Sequence, residues 1–247
     1  MDEGPADAPA VLLANSLGTT LDMWAPQVPA LAARFRVLRY DLRGHGGSAI
    51  VPGPCTIADL GRDMLEVLDR AGVERAHVAG LSLGGMAAMW VASEAPARVG
   101  RLVLCSTAAS LAPATFWRDR AATVRAQGTI AVADLVLSRW FTPAFAGAHR
   151  DTVERMRSML LSIPAEGYAS CAEVIADLDL VPRLVRIAAP TLVIAGADDA
   201  AVDPRLGAQL HAAIAGAHLE VVPDAAHLLN VERAEVVSRL MLDHLTV

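Results

Sequence analysis

The chain has 247 residues, 54% of them hydrophobic and 19% charged, the balance of a globular protein with a sizeable core rather than of a disordered or fibrous one. A formal charge of −6 excludes a broad basic surface for holding nucleic acid. All 21 basic residues are arginine, so mechanisms built on a Schiff-base or general-base lysine are excluded as well.

The opening MDEGPADAPA is acidic and proline-containing and lacks the basic end and apolar centre of an export signal. Cys55, Cys105 and Cys171, odd in number and far apart, read as reduced thiols, and a cytoplasmic location is expected. Apolar runs rich in Val and Leu predict strands over 10–14, 36–40, 76–80, 101–105, 191–195 and 218–222. Helical periodicity between them predicts helices over 24–33, 57–71, 84–94, 204–215 and 233–244. Such alternation is the mark of a mostly parallel, doubly wound α/β sheet covered on both faces. The alternation breaks over 111–186, where helical segments follow one another without a strand. That block is expected to be a helical cap inserted into a core of 1–110 and 187–247, roofing the carboxyl ends of the strands where open parallel sheets bind ligands. Residues 76–93 carry no charged side chain, long enough to raise the question of a membrane span, but GLSLGG in their middle and His77 near their start read as strand, turn and helix, so no membrane association is expected.

At that turn, Gly80, Leu81, Ser82, Leu83 and Gly84 form G-x-S-x-G between a strand and an apolar helical run. In this setting the glycines let strand and helix backbones pass closely, and Ser82 stands at the top of the sheet as a candidate nucleophile. The following helix aims its N-terminal N–H groups at the site, with Leu83 as one oxyanion donor. The competing reading is a glycine-rich turn in which Ser82 merely caps a helix.

A serine nucleophile needs a base, and the chain offers His45, His77, His149, His211, His218, His227 and His244. His227, in PDAAHLLN after the last predicted strand, stands where the base falls in this kind of fold. His77 starts a strand, His211 and His244 lie in predicted helices and His149 falls in the cap. His45, in RGHGGS, is in a loop that could approach the site. For the acid that orients the base, Asp198, Asp199 and Asp203 follow the strand TLVIAG; spacing from Gly196 favours Asp199 with Asp198 as the alternative, while Asp203 before Pro204 reads as a helix cap. No histidine pair four apart, no C-x-x-C and no carboxylate cluster has metal-ligand spacing, so neither metal nor organic cofactor is expected.

Together these residues resemble the α/β-hydrolase superfamily. Finer strings, NSLGTTLDMW, RVLRYDLRGHGGS, GLSLGGMAA, SRWFTPAF, EGYASCAEVIADLDL and DAAHLLNVE, are similar to the 3-oxoadipate enol-lactonases of aromatic catabolism, over almost the whole chain. Many superfamily members carry His-Gly where this chain has Asn15 and Ser16. The resemblance implies an α/β-hydrolase fold, a Ser82–His227–Asp199 triad, a second oxyanion donor at the Leu17 N–H, and Trp140 lining the pocket, unless that Trp merely packs cap to core. It also departs from the family: few residues precede Val11, so the usual N-terminal hairpin is expected to be missing or shortened, baring a sheet edge. The implied partner is a small anionic lactone or ester. With no lysine to meet its carboxylate, Arg139 and then Arg43 are the candidate anchors, each otherwise a solvated surface arginine. A general carboxylesterase or cofactor-free perhydrolase would use the same triad. A small-molecule receptor with slow or absent turnover is the reading from another class.

Overall fold

The computed structural model describes residues 1–51 and 53–246. The strands are β1 (Asp2–Glu3), β2 (Ala10–Ala14), β3 (Arg36–Tyr40), β4 (Ala76–Leu81), β5 (Val99–Cys105), β6 (Thr191–Gly196) and β7 (His218–Val222). They form one sheet in the order β1-β3-β2-β4-β5-β6-β7, parallel throughout except at β1. Central strands read as unbroken apolar runs because both faces are covered; every residue of AVLLA in β2 and TLVIAG in β6 is buried. Edge strand β7 differs, with His218 and Glu220 exposed, charged or polar groups that discourage pairing with another edge.

The core helices are α1 (Val28–Ala32), α2 (Ile57–Arg70) and α3 (Leu83–Glu94). Between β5 and β6 come α4 (Ala114–Gln127), α5 (Ala133–Trp140), α6 (Pro143–Ala148), α7 (Arg150–Ser162) and α8 (Ala165–Ala176), with no strand among them. Then follow α9 (Pro204–Ala213), α10 (Leu229–Glu232) and α11 (Ala234–Leu245). α1 packs with α11, and α2 with α3, which lies along β4 and β5, so helix layers cover the sheet as the alternation predicts. α2 opens with a capping box in which Thr56 and Asp59 satisfy each other's backbone N–H.

One expected helix is interrupted. The run predicted over 24–33 is a 3-10 turn, Leu21–Trp24, followed by the short α1; Pro26 has no N–H to continue a helix, whereas Pro29 is tolerated in the first turn. The helix expected over 233–244 is α11, and Arg233, with φ −124° and ψ 48°, separates it from the short α10, which the sequence did not predict. No N-terminal hairpin forms among the described residues: the two residues of β1 pair antiparallel with Val37 and Leu38 of β3, a strand not adjacent to β1 in the chain. Nothing apolar specifies that pairing. Arg36 bridges Asp2 at 2.6 Å and Arg39 bridges Glu3 at 2.6 Å, beside the main-chain pairing and the bond from the Met1 ammonium to the Arg39 carbonyl.

Candidate active site

Ser82 lies between β4 and α3 with φ 53° and ψ −116°, a conformation that costs a non-glycine residue about 1–3 kcal/mol and persists only where the surroundings enforce it. Here they do. The Ser82 N–H donates to the Cys105 carbonyl at 2.9 Å, and its carbonyl accepts from Thr107 Oγ1 at 2.7 Å and from the Met86 N–H at 2.9 Å. A Cβ on Gly80 would stand 2.3 Å from the Gly84 carbonyl oxygen, and one on Gly84 would stand 2.4 Å from that of Ala14. The elbow therefore requires glycine on both sides of the serine.

Across the sheet, the loops after β6 and β7 carry Asp199 and His227, both buried. His227 Nδ1 is 2.9 Å from Asp199 Oδ2; a carboxylate can only accept, so the proton of this bond sits on Nδ1 and Nε2 is left as a lone-pair acceptor. The second oxygen, Asp199 Oδ1, accepts from the N–H groups of Ala201 and Val202 at 2.8 and 2.9 Å, which fixes the carboxylate. Asp198 is exposed and contributes its backbone, donating to the Ala225 carbonyl and so tying the acid loop to the histidine loop. Asp203 caps α9 by accepting from the Arg205 N–H.

The loop after β2 supplies the third part. The Ser16 N–H points at Met23 Sδ, the Gly18 N–H donates to His45 Nε2 at 3.1 Å and the Thr19 N–H donates to the Ser16 carbonyl, so among the described residues the Leu17 N–H is the amide of this stretch left without a partner. The Leu83 N–H, in the first turn of α3, has no helical carbonyl before it to meet. Asn15 braces the same loop, donating to the Thr19 carbonyl at 2.5 Å and accepting from the Leu42 N–H at 3.2 Å. His45 is fully buried; its Nδ1–H donates to the Arg43 carbonyl, its Nε2 accepts from Gly18, and burial pushes its pKa down to about 4, so the ring stays neutral.

These loops meet the cap in one cavity of about 40 Å³, lined from below by Ser16, Leu17, Ser82, Ala201 and His227, and from above by residues of α4, α5 and α8. That is the space of a few water molecules. Trp140, buried, is in the wall, and its carbonyl accepts from the Leu228 N–H at 2.9 Å, joining the end of α5 to the residue after His227. Glu232 makes a second such joint: its carboxylate accepts from the Thr142 N–H, the Thr142 hydroxyl and, at 2.8 Å, the Ala226 N–H.

A family model described as alpha/beta hydrolase fold matches residues 9–234. The chain belongs to the alpha/beta hydrolase fold family. Within it, the chain is 40% identical to 3-oxoadipate enol-lactonase 2 of Acinetobacter baylyi over 232 residues, 94% of this chain and 86% of that protein. The solved enol-lactonase from Burkholderia xenovorans LB400 is 42% identical with a TM-score of 0.98, covering all of this chain and 95% of that one. A thermophilic esterase from Thermogutta terrifontis is 30% identical with a TM-score of 0.94, covering all of this chain and 92% of that one.

In this alpha/beta hydrolase Arg139 lines the cavity, but Arg43 does not. The Arg43 guanidinium is forked onto Asp63, 2.7 Å from each carboxylate oxygen, and its contribution to the site is the carbonyl that orients His45. Sequence reasoning missed Trp117, Arg120, Tyr168 and Ile175. Their spacing carried a signal: Trp117 and Arg120 are three apart and Tyr168 and Ile175 seven apart, each pair on one helical face. No helix among the described residues is long and apolar enough to cross a membrane.

Proposed function

We propose that this chain is a cytoplasmic serine hydrolase that opens 3-oxoadipate enol-lactone to 3-oxoadipate in aromatic catabolism. The observation that carries the reading is that Ser82, held at a strained elbow, shares one cavity with His227, whose far nitrogen is fixed by Asp199. Similarity to proteins named enol-lactonases supports the choice of substrate. Ser82 Oγ attacks the lactone carbonyl and passes its proton to His227 Nε2. The oxyanion lies against the N–H groups of Leu17 and Leu83. Collapse breaks the ring C–O bond and expels an enolate, a better leaving group than an alkoxide, which takes up the proton and becomes the ketone. Water deprotonated by His227 then cleaves the acyl–serine ester and frees the acid. Asp199 holds the tautomer and stabilises the imidazolium that forms in each half.

A panel of the enol-lactone, simple lactones and p-nitrophenyl esters tests this. The enol-lactone should show the highest kcat/KM. A simple neutral ester surpassing it overturns the lactonase reading and leaves a carboxylesterase, the reading favoured by similarity to the thermophilic esterase.

A further inference from the structure

Arg120, on α4, is the cavity-lining residue with a buried side-chain nitrogen, Nη2, that meets no hydrogen-bond partner. Its guanidinium lies over the rings of Phe116 and Trp117, 4.6 and 5.0 Å from their centroids, and Arg139 approaches the same Phe116 ring at 5.4 Å. Tyr168 stands beside it: burial pushes the phenol pKa up, and the charge and hydrogen bond of Arg120 oppose that push. Neighbouring cap arginines are neutralised, Arg118 by Asp177, Arg125 by Glu166 and Glu173, and Arg157 by Asp134. Arg120 and Arg139 enter no ion pair among the described residues, and no Asp or Glu lines the cavity.

Two half-buried cations facing one small cavity without a counter-ion are poorly placed for a neutral ligand. The aromatic rings relieve part of the cost of burying the charge but cannot take up the directed N–H of Nη2. An anion can. We propose that Arg120, assisted by Arg139, anchors a free carboxylate of the substrate while Ser82 attacks the ester carbonyl, so that the wall formed by α4 and α5 favours an anionic ester or lactone over its neutral counterpart. The inference rests on the serine-hydrolase reading and adds the residue that sets its substrate charge. The planar fork of arginine suits a carboxylate, and rings stacked on the guanidinium hold that fork in place.

The test is a matched pair of substrates, the p-nitrophenyl monoester of adipic acid and its methyl diester, in which the free carboxylate is masked. In the wild type kcat/KM should favour the anion by about tenfold or more, and Arg120→Gln should lower that ratio about 10- to 100-fold, chiefly through KM for the anion. Arg139→Gln should lower it less. Arg118→Gln, whose residue is exposed on the same helix, should leave it unchanged, and thermal melting checks that each variant folds. Binding of adipate to Ser82→Ala protein, measured by calorimetry, reads the anchor without turnover and should weaken by the same factor when Arg120→Gln is added. A wild-type ratio at or below one, or a ratio and an adipate affinity indifferent to Arg120→Gln, overturns the anchor while Ser82-dependent hydrolysis of the diester keeps the hydrolase reading. Diester hydrolysis that survives Ser82→Ala overturns the hydrolase reading instead.

Discussion

The sheet side of the cavity, which carries every proposed reacting group, is built by loops at the ends of strands, whereas the opposite side is built by side chains of separate helices. Ser82, Leu17, Asp199 and His227 follow β4, β2, β6 and β7; main-chain hydrogen bonds and flanking glycines fix Ser82, backbone N–H groups fix the Asp199 carboxylate, and that carboxylate in turn fixes His227. Trp117, Arg120, Arg139, Trp140 and Tyr168 come from α4, α5 and α8, and their meeting depends on how the helices are rotated against one another. A backbone-built wall tolerates little change and suits chemistry common to all substrates. A side-chain-built wall can be re-lettered where its residues are half-buried, as Trp117, Arg120 and Arg139 are, and suits selection among them.

If this division holds, sheet-side variants destroy turnover of every substrate and cap-side variants change which substrate is preferred. Ser82→Ala should cost about 10⁶-fold in kcat for lactone and ester alike, measured in steady state; retention of more than about a hundredth of the rate breaks the assignment. Asp199→Asn should cost about 10⁴-fold by releasing the His227 tautomer, while Asp198→Asn, at an exposed position, should stay within about threefold; the reverse order would transfer the role to Asp198.

Glu232→Gln probes the seam between the two sides. It replaces one accepting oxygen by an amide that cannot accept, so kcat should fall about tenfold and Tm by about 5 °C, whereas unchanged kcat would mean that the histidine loop holds itself without the cap.

The smallest effect at neutral pH belongs to His45. An unfolded chain protonates it below its ordinary value of 6.5, but the buried ring refuses the proton until about pH 4. In that window the unfolded state holds more protons, so stability falls as pH falls, by up to about 3 kcal/mol. His45→Gln lacks this loss, and the gap between its urea midpoint and that of the wild type should narrow from pH 7 to pH 4. A constant gap would show that His45 takes no part in acid unfolding.

The same division decides what was legible in the sequence. The elbow could be read from GLSLGG because its geometry leaves no choice of residue at Gly80 and Gly84, and the parallel strands from runs such as TLVIAG because burial on both faces demands them. Asp199 over Asp198 was readable only as a preference, since the strand end fixes where the loop begins and not which carboxylate turns inward. Arg120 was only partly legible as a wall residue: its spacing from Trp117 puts the two on one face of α4, but which face meets the cavity is set by the packing of α4 along α8. Arg43, next to the GHGG loop, looked available because Asp63 is 20 positions away in sequence and approaches only through the turn of α2. β1 escaped notice because Asp2 and Glu3 have no strand propensity of their own and are held by Arg36 and Arg39.

The double joint between cap and histidine loop, Leu228 to Trp140 and Glu232 to Thr142 and Ala226, bears on redesign by segment exchange. A roof transplanted from another hydrolase would have to present a carbonyl at the end of its α5 equivalent and a hydroxyl two residues later, or it would strand a buried carboxylate and an amide beside His227. Chimaeras cut at the ends of the helical insert should therefore fail in proportion to those two missing partners. Point changes on the inner faces of α4 and α8 leave both joints closed, and they are the cheaper route to a new specificity.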